Sequence, residues 1–406
     1  MNRKNFKVYK AVIIGGGFSG LVTDVKLSRR FGGENIAVVE KLSRVGKKIL
    51  STGNGQCNLT NIDYDFSHFH GKNPQIHEKI LKKHSNLELL DFFENLGVLT
   101  VLEDGKYFPN SKQASSVLDA LRFKLDYEKV NFYLGVTASG TNRENFYKIS
   151  LSDGSFLYGE NLVVSVGGKS APFLGTDGSS YNLLTCYGHT LTKLYPSLVQ
   201  LKTDKAKIKG LKGLKQRANL TVVSSNKIIT QKFGEVLFTE YGVSGNAVFN
   251  ASSYAVDKDC KLLIDFLPKY SSDELLLVLQ NKQKNCPYLT IENLLSGIIN
   301  NKIGASILRS EGILDLSQKV KNVNLNLVVK AVKSFALSVT GNMGFDNSQV
   351  TKGGILLSEF DSNTLESKLS KGLFATGEVL DVDGDCGGYN LQWAYSSAST
   401  VAESIK

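Results

Sequence analysis

An apolar, β-branched run from Lys10 to Ile14 stops at Gly15. Such a run reads as a short strand buried on both faces. After the break at Gly15–Gly20, Leu21, Val22, Val25 and Leu27 recur at helical spacing up to Arg30. Ile36 to Val39 is a second apolar strand, closed by Glu40. A strand, a glycine loop, a helix and a strand in that order predict a parallel α/β sheet. Further along, the pattern predicts helices over Asn86–Leu96 and Ser115–Tyr127. It predicts strands over 131–137, 146–151 and 162–166, with a turn at Asp153-Gly154. From Pro196 to about 268 the alternation is of β type. Helices are expected at Ser271–Lys284, 291–299 and 324–335, the first capped by Ser271 or Ser272 with Asp273 and Glu274 in its first turn. Residues 350–406 return to glycine-rich α/β character, with a helix from about 390.

At 406 residues the chain exceeds a single hydrophobic core, so two or three domains are expected. Glycine is frequent (38) and proline scarce (6), which favours close backbone approaches over flexible linkers. A net charge of +10 suits an anionic partner: nucleic acid, an acidic membrane face or a phosphorylated cofactor. The five cysteines are Cys57, Cys186, Cys260, Cys286 and Cys386; an odd number without C-x-x-C pairs fits a reducing compartment. His68, His70, His77 and His84 cluster, but few acids and no paired cysteines accompany them. They are expected on a solvated loop and helix face, with no metal. The apolar run after the basic N-terminus is too short for a secretory signal, and no stretch approaches a membrane span. A cytoplasmic protein is the expectation; the oligomeric state is left open.

Gly15-Gly16-Gly17-Phe18-Ser19-Gly20 is a G-x-G-x-x-G in the context its mechanism requires, after a strand and opening a helix. Gly15 permits the turn, Gly17 lets a pyrophosphate approach, and Gly20 lets helix and strand pack. The helix N-terminus offers free N–H groups and partial positive charge. Glu40 stands where a carboxylate accepts from ribose hydroxyls. No second such motif occurs. Instead, a glycine-rich segment runs from Gly372 through Gly377-Glu378 and Asp383-Gly384-Asp385-Cys386-Gly387-Gly388-Tyr389-Asn390-Leu391-Gln392. It suits the far end of an extended dinucleotide, which favours FAD.

These segments carry a resemblance. With Val38–Lys41, Gly46–Asn61, Phe108–Ser111, Gln113–Leu118, Gly167–Ser170, Gly234–Thr239, Gly242–Gly245, Thr351–Gly354 and Leu365–Lys368, the chain resembles the BaiN/RdsA-like family of NAD(P)/FAD-dependent oxidoreductases, the YhiN-like flavoproteins. The resemblance implies an α/β, glutathione-reductase-like FAD-binding Rossmann domain from residues 1–192 and 346–406. It also implies an inserted β-barrel-like substrate domain (193–268 and 336–345) and a helical subdomain (269–335). FAD would rest on Gly15, Gly17, Phe18, Ser19, Gly20, Glu40 and Lys41. It would also touch Lys48, Ser51, Thr52, Gly53, Asn54, Gly55, Cys57, Asn58, Thr60, Val136, Gly167 and Gly168. At the C-terminal end its contacts would be Gly377, Glu378, Asp383, Gly387, Gly388, Tyr389, Asn390 and Leu391. The chain departs from the family at Gln56 (often Arg), at Asn246 (usually Pro) and in the loop Gly175–Ser180, places where loops tune specificity.

The resemblance further implies reduction of an activated carbon–carbon double bond, in a steroid enone or in a uridine of large-subunit (23S) ribosomal RNA. NAD(P)H would be the electron donor. Cys57 is the candidate proton donor, with Cys386 and Tyr389 as rivals. Lys205, Lys207, Lys209, Lys212, Lys215 and Arg217 are the candidate RNA contacts; the first three alternate as if along one strand face. Three readings stand: an rRNA uridine reductase, a small-molecule enone reductase, and a non-enzymatic flavin-binding redox or RNA-binding module.

Overall fold

The computed structural model describes residues 6–255 and 259–406. They form two compact units, one from residues up to Pro196 together with Gln349–Lys406, the other from Ser197 to Ser348.

The first unit is built on a seven-stranded sheet. β1 (Val8–Ile14) lies between β2 (Ile36–Glu40) and the strand Phe156–Val164, parallel to both. Asn131–Leu134 continues the parallel set beyond β2, and Leu373–Ala375 joins it beside Phe156–Val164. Val12, Ile13, Val38, Val163 and Ala375 are fully buried, as expected of strands covered on both faces. α1 (Phe18–Phe31) and the C-terminal helix Tyr389–Ser404 pack together, so the two ends of the chain meet in one layer. Antiparallel strands Tyr147–Leu151 and Ala138–Arg143 extend the far edge.

The second unit holds a closed barrel of six antiparallel strands. In spatial order they are Leu201–Thr203, Gly242–Ser244, Lys227–Phe238, Lys215–Ser224, Lys261–Asp265 and Phe335–Asn342. Helices Ser272–Asn285, Asn301–Ser310 and Leu325–Lys333 lie between the last two in sequence. Ser271 is the cap of the first: its Oγ accepts from Glu274 N and the Glu274 carboxylate accepts from Ser271 N, a closed capping box. The expected α/β fold with an inserted barrel is therefore present.

Some expectations fail locally. Residues 291–299 are not a helix. A single 3₁₀ turn covers Ile291–Asn293, turns follow through a left-handed Gly297 (φ +80°), and Asn300 caps a separate helix by accepting from Lys302 N and Ile303 N. The strand expected over 131–137 stops at Leu134, because Gly135 turns left-handed, φ +71°; a new strand starts at Ala138. Lys205–Gly210 is turn, not strand, so the lysine alternation has no strand face to line.

Candidate functional site

α1 begins at Gly17, which caps it without a side-chain hydrogen bond, and no acid occupies its first turn. Its leading N–H groups therefore remain without intrahelical acceptors. The glycines divide the work. A Cβ on Gly15 would sit 2.4 Å from Ser165 O, and one on Gly20 would sit 2.0 Å from Gly15 O, so both serve close packing. A Cβ on Gly17 would meet no protein atom within 4 Å, which leaves the ground before the helix open to a ligand. Glu40 closes β2 and accepts from Gly16 N (2.8 Å) and Leu42 N (2.9 Å). Each oxygen keeps a lone pair for a ribose hydroxyl.

The C-terminal run meets this loop. Gly377 packs so closely on Ser19 that a Cβ would lie 2.6 Å from its Oγ. Glu378 accepts from Lys48 Nζ (2.8 Å) and from Thr351 N (2.8 Å), and a Cβ on Gly168 would lie 2.7 Å from its Oε1. The segment after Lys48 makes a compact polar turn. Ser51 and Thr52 hydroxyls donate to Lys48 O and Ile49 O, and Gly53 and Asn54 are both left-handed, at φ +56° and +55°, before Gly55. Thr60 donates to Gln392 of the C-terminal helix (2.8 Å), and Asn61 donates to Gly387 O (3.0 Å). Asn390 closes the loop before that helix, donating to Gly384 O and accepting from Gly384 N, both at 2.8 Å. Gly388 caps the helix at φ +99°, and a Cβ there would lie 2.7 Å from Thr60 backbone atoms. Asp383 and Tyr389 are buried beside it, and Leu391 packs on the α1 core. Asn58 Oδ1 is buried without a hydrogen-bond partner. An orphaned acceptor of this kind costs about 1–3 kcal/mol and suits a ligand N–H.

Lys41 pairs with Asp177 (3.2 Å) and joins Gly167 and Gly168 around a small recess with Thr176 and Tyr181. Val136 is tied to Glu40 O at 3.3 Å. A helix end that offers N–H donors over open ground, the Glu40 carboxylate with acceptor capacity left, and the orphaned Asn58 Oδ1 acceptor make a set that fits FAD. The candidate cofactor residues of the first unit thus fall into one connected neighbourhood.

Cys57 is fully buried among apolar side chains, and burial pushes its thiol up to about 12, which keeps it protonated. Burial also raises Cys386 and Tyr389. In the second unit the basic run is less available than its sequence suggests. Lys207 Nζ donates to Ala336 O (2.9 Å), Lys212 pairs with Glu240 (2.7 Å), Lys215 pairs with Glu235 (3.1 Å), and Arg217 lies over Phe233. Lys205 and Lys209 are exposed beside a cavity of about 390 Å³ lined also by Ile208 and Thr239.

The histidines are corrected too. His77 and His84 are buried, and His68 and His70 are half-buried and share the Asp385 carboxylate. His68 ends a 3₁₀ turn and His70 lies in the strand Phe69–His70 that pairs with Asp383-Gly384, which brings both to Asp385.

The HI0933-like protein Rossmann domain matches residues 9–404. The chain is 36% identical over 392 residues to a 3-dehydro-bile acid delta(4,6)-reductase of Clostridium scindens, covering 95% of this chain and 96% of that protein. It is 28% identical to the ribosomal RNA dihydrouridine synthases of Haemophilus influenzae (97% of this chain, 98% of that one) and Escherichia coli (98% of each). No helix among the described residues is long and apolar enough to cross a membrane. The chain belongs to the HI0933-like family, as a Rossmann-type flavin-dependent oxidoreductase.

Proposed function

We propose that the chain binds FAD between the Gly15–Gly20 loop and the Gly384–Asn390 loop and reduces a carbon–carbon double bond conjugated to a carbonyl. The observation that carries this reading is that α1 and the helix Tyr389–Ser404 both start without a side-chain cap, and that the turn at Gly377 joins them, packing on Ser19 of α1 and hydrogen-bonding to Trp393 and Ser397 of the C-terminal helix. The first would hold the pyrophosphate on its N–H groups while Glu40 accepts from the ribose. The second would aim its N–H groups at the flavin ring, with Asn58 accepting there. Bound FAD, once reduced by NAD(P)H, supplies the hydride. The residues around it orient the alkene within about 3–3.5 Å of the hydride source and stabilise charge on its carbonyl oxygen.

A uridine of 23S rRNA is the leading substrate. Support comes from the net charge of +10, from the exposed Lys205, Lys209, Lys212, Lys215 and Arg217, and from two relatives named as rRNA dihydrouridine synthases. A base within folded RNA must be unstacked first, which favours free or partly assembled RNA. A small enone is the second reading. It draws on the 36% identity to a bile acid reductase and on the engagement of Lys207, Lys212 and Lys215 with protein partners. Deleting the gene and mapping dihydrouridine in 23S rRNA separates the two. Loss of one site, restored by the wild-type gene, establishes the RNA substrate; unchanged rRNA excludes it and leaves the enone.

A further inference from the structure

Asp385 gathers two histidines from one short segment. His68 Nδ1 is 3.1 Å from Asp385 Oδ2, and His70 Nε2 is 2.9 Å from Asp385 Oδ1. His68 Nε2 is 3.0 Å from Asp63 Oδ2. Carboxylate and imidazole thus alternate without a gap, from Asp63 (side chain 62% exposed) to the buried Asp385 (6%) and on to His70. Tyr389 fixes the line. Its ring stacks on His68 with centroids 4.4 Å apart, and its hydroxyl donates to Asp63 O (3.0 Å). A two-residue antiparallel ladder sets His70 opposite Asp383, so the two side chains share a face. Holding one buried carboxylate takes a single partner. A second imidazole and a chain leading out to solvent suit proton movement.

We propose that Asp63, His68, Asp385 and His70 form a relay that brings the proton consumed in each reduction to the Gly384–Asn390 loop. The inference rests on the double-bond reductase reading. In that reaction the substrate β-carbon gains a hydride as the reduced flavin is oxidised by two electrons. The π bond breaks and its electron pair passes to the carbonyl as an enolate. The α-carbon then takes a proton from the Asp385–His70 end, a C–H bond forming as an N–H bond breaks, and water at Asp63 replaces it through His68. The hydrogen bond to Asp385 raises the His68 pKa, against burial, and Asp63 adds to it. The charged and titratable groups facing the line are Asp65 on its own loop, Asp383 and Tyr389 across from it, His77 on the next helix, and Lys106 toward the neighbouring Cys386.

The test uses the full chain loaded with FAD, reduced by dithionite and mixed without oxygen with 2-cyclohexen-1-one or a 23S rRNA transcript, with flavin reoxidation followed by absorbance. His68→Gln and His70→Ala are expected to keep the wild-type flavin content and spectrum. Both should reoxidise about 10- to 100-fold more slowly. The wild-type rate should fall as pH rises through the His68 pKa, and His68→Gln should lack that fall. Added imidazole should restore His70→Ala, which a packing role would not allow. Apart from turnover, the His68 ring-proton NMR signal should titrate above free histidine and move down in Asp385→Asn. If that variant does not fold, the two histidine variants, which leave Asp385 one imidazole each, decide. Variants that reoxidise at the wild-type rate, or slow ones with neither imidazole rescue nor a changed pH profile, overturn the relay. A wild-type protein that passes electrons to neither probe overturns the reductase reading, and the relay with it.

Discussion

Two helix N-termini in the first unit face the candidate cofactor site, and they are built oppositely. α1 opens onto empty ground at Gly17, whose backbone is extended at φ −80°, ψ −174°. The C-terminal helix starts at Gly388, in the left-handed region and pressed against Thr60 and Asn58. Neither has a side-chain cap or a first-turn acid. The same local electrostatics therefore serve two tasks. An open end suits a solvated, doubly charged pyrophosphate that must slide in. A closed end suits the edge of a flat ring, where position matters more than charge. The helix dipole supplies attraction at both, and packing decides what is attracted.

Substitutions at these ends break the comparison most directly. Gly388→Ala adds a left-handed strain and a 2.7 Å overlap with Thr60, so it should cost about 2–4 kcal/mol in stability and abolish flavin retention, read by urea unfolding and by absorbance. Gly17→Ala should leave the unfolding midpoint unchanged, since its Cβ meets no protein atom. It should weaken FAD about 10- to 100-fold in calorimetric titration, or about 1.4–2.8 kcal/mol. Equal stability loss at both sites would show that the two ends do not differ. Asn58→Ala removes an acceptor that lacks a protein partner. It should spare the apoprotein and weaken FAD by about 1 kcal/mol, the net worth of one hydrogen bond.

The smallest expected effect lies behind the open end. Asp24 of α1 is fully buried, neither oxygen has a partner, and burial raises its pKa well above that of a free carboxyl. The folded state therefore holds this proton more tightly than the unfolded one, so its contribution is complete at acid pH and declines as pH rises. Asp24→Asn should gain on the order of 1 kcal/mol over wild type at pH 8 and less at pH 5. Urea unfolding at the two values checks it.

The Rossmann half was legible because its signals are local. A buried strand, a glycine turn, a helix and Glu40 follow within one short stretch, and each glycine has a backbone reason that residue order exposes. The capping box at Ser271 and Glu274 is of the same kind. Misreadings arose where a single backbone angle or a distant partner decides. The left-handed Gly135 ended a strand, and the left-handed Gly297 lies where the apolar pattern would have run a helix. Lys207 could not be seen donating to Ala336 O, 129 residues away.

Sequence by itself determined the fold class, the family and the chemistry class, since periodicity, glycine spacing and motif order are properties of neighbours along the chain. Tertiary structure alone decided what each polar side chain can do. It buried Cys57 in an apolar core, where burial pushes its thiol up to about 12. It also drew His68 and His70 onto a carboxylate 317 and 315 residues away. Burial and long-range hydrogen bonding set where a proton sits, and neither is a function of sequence distance.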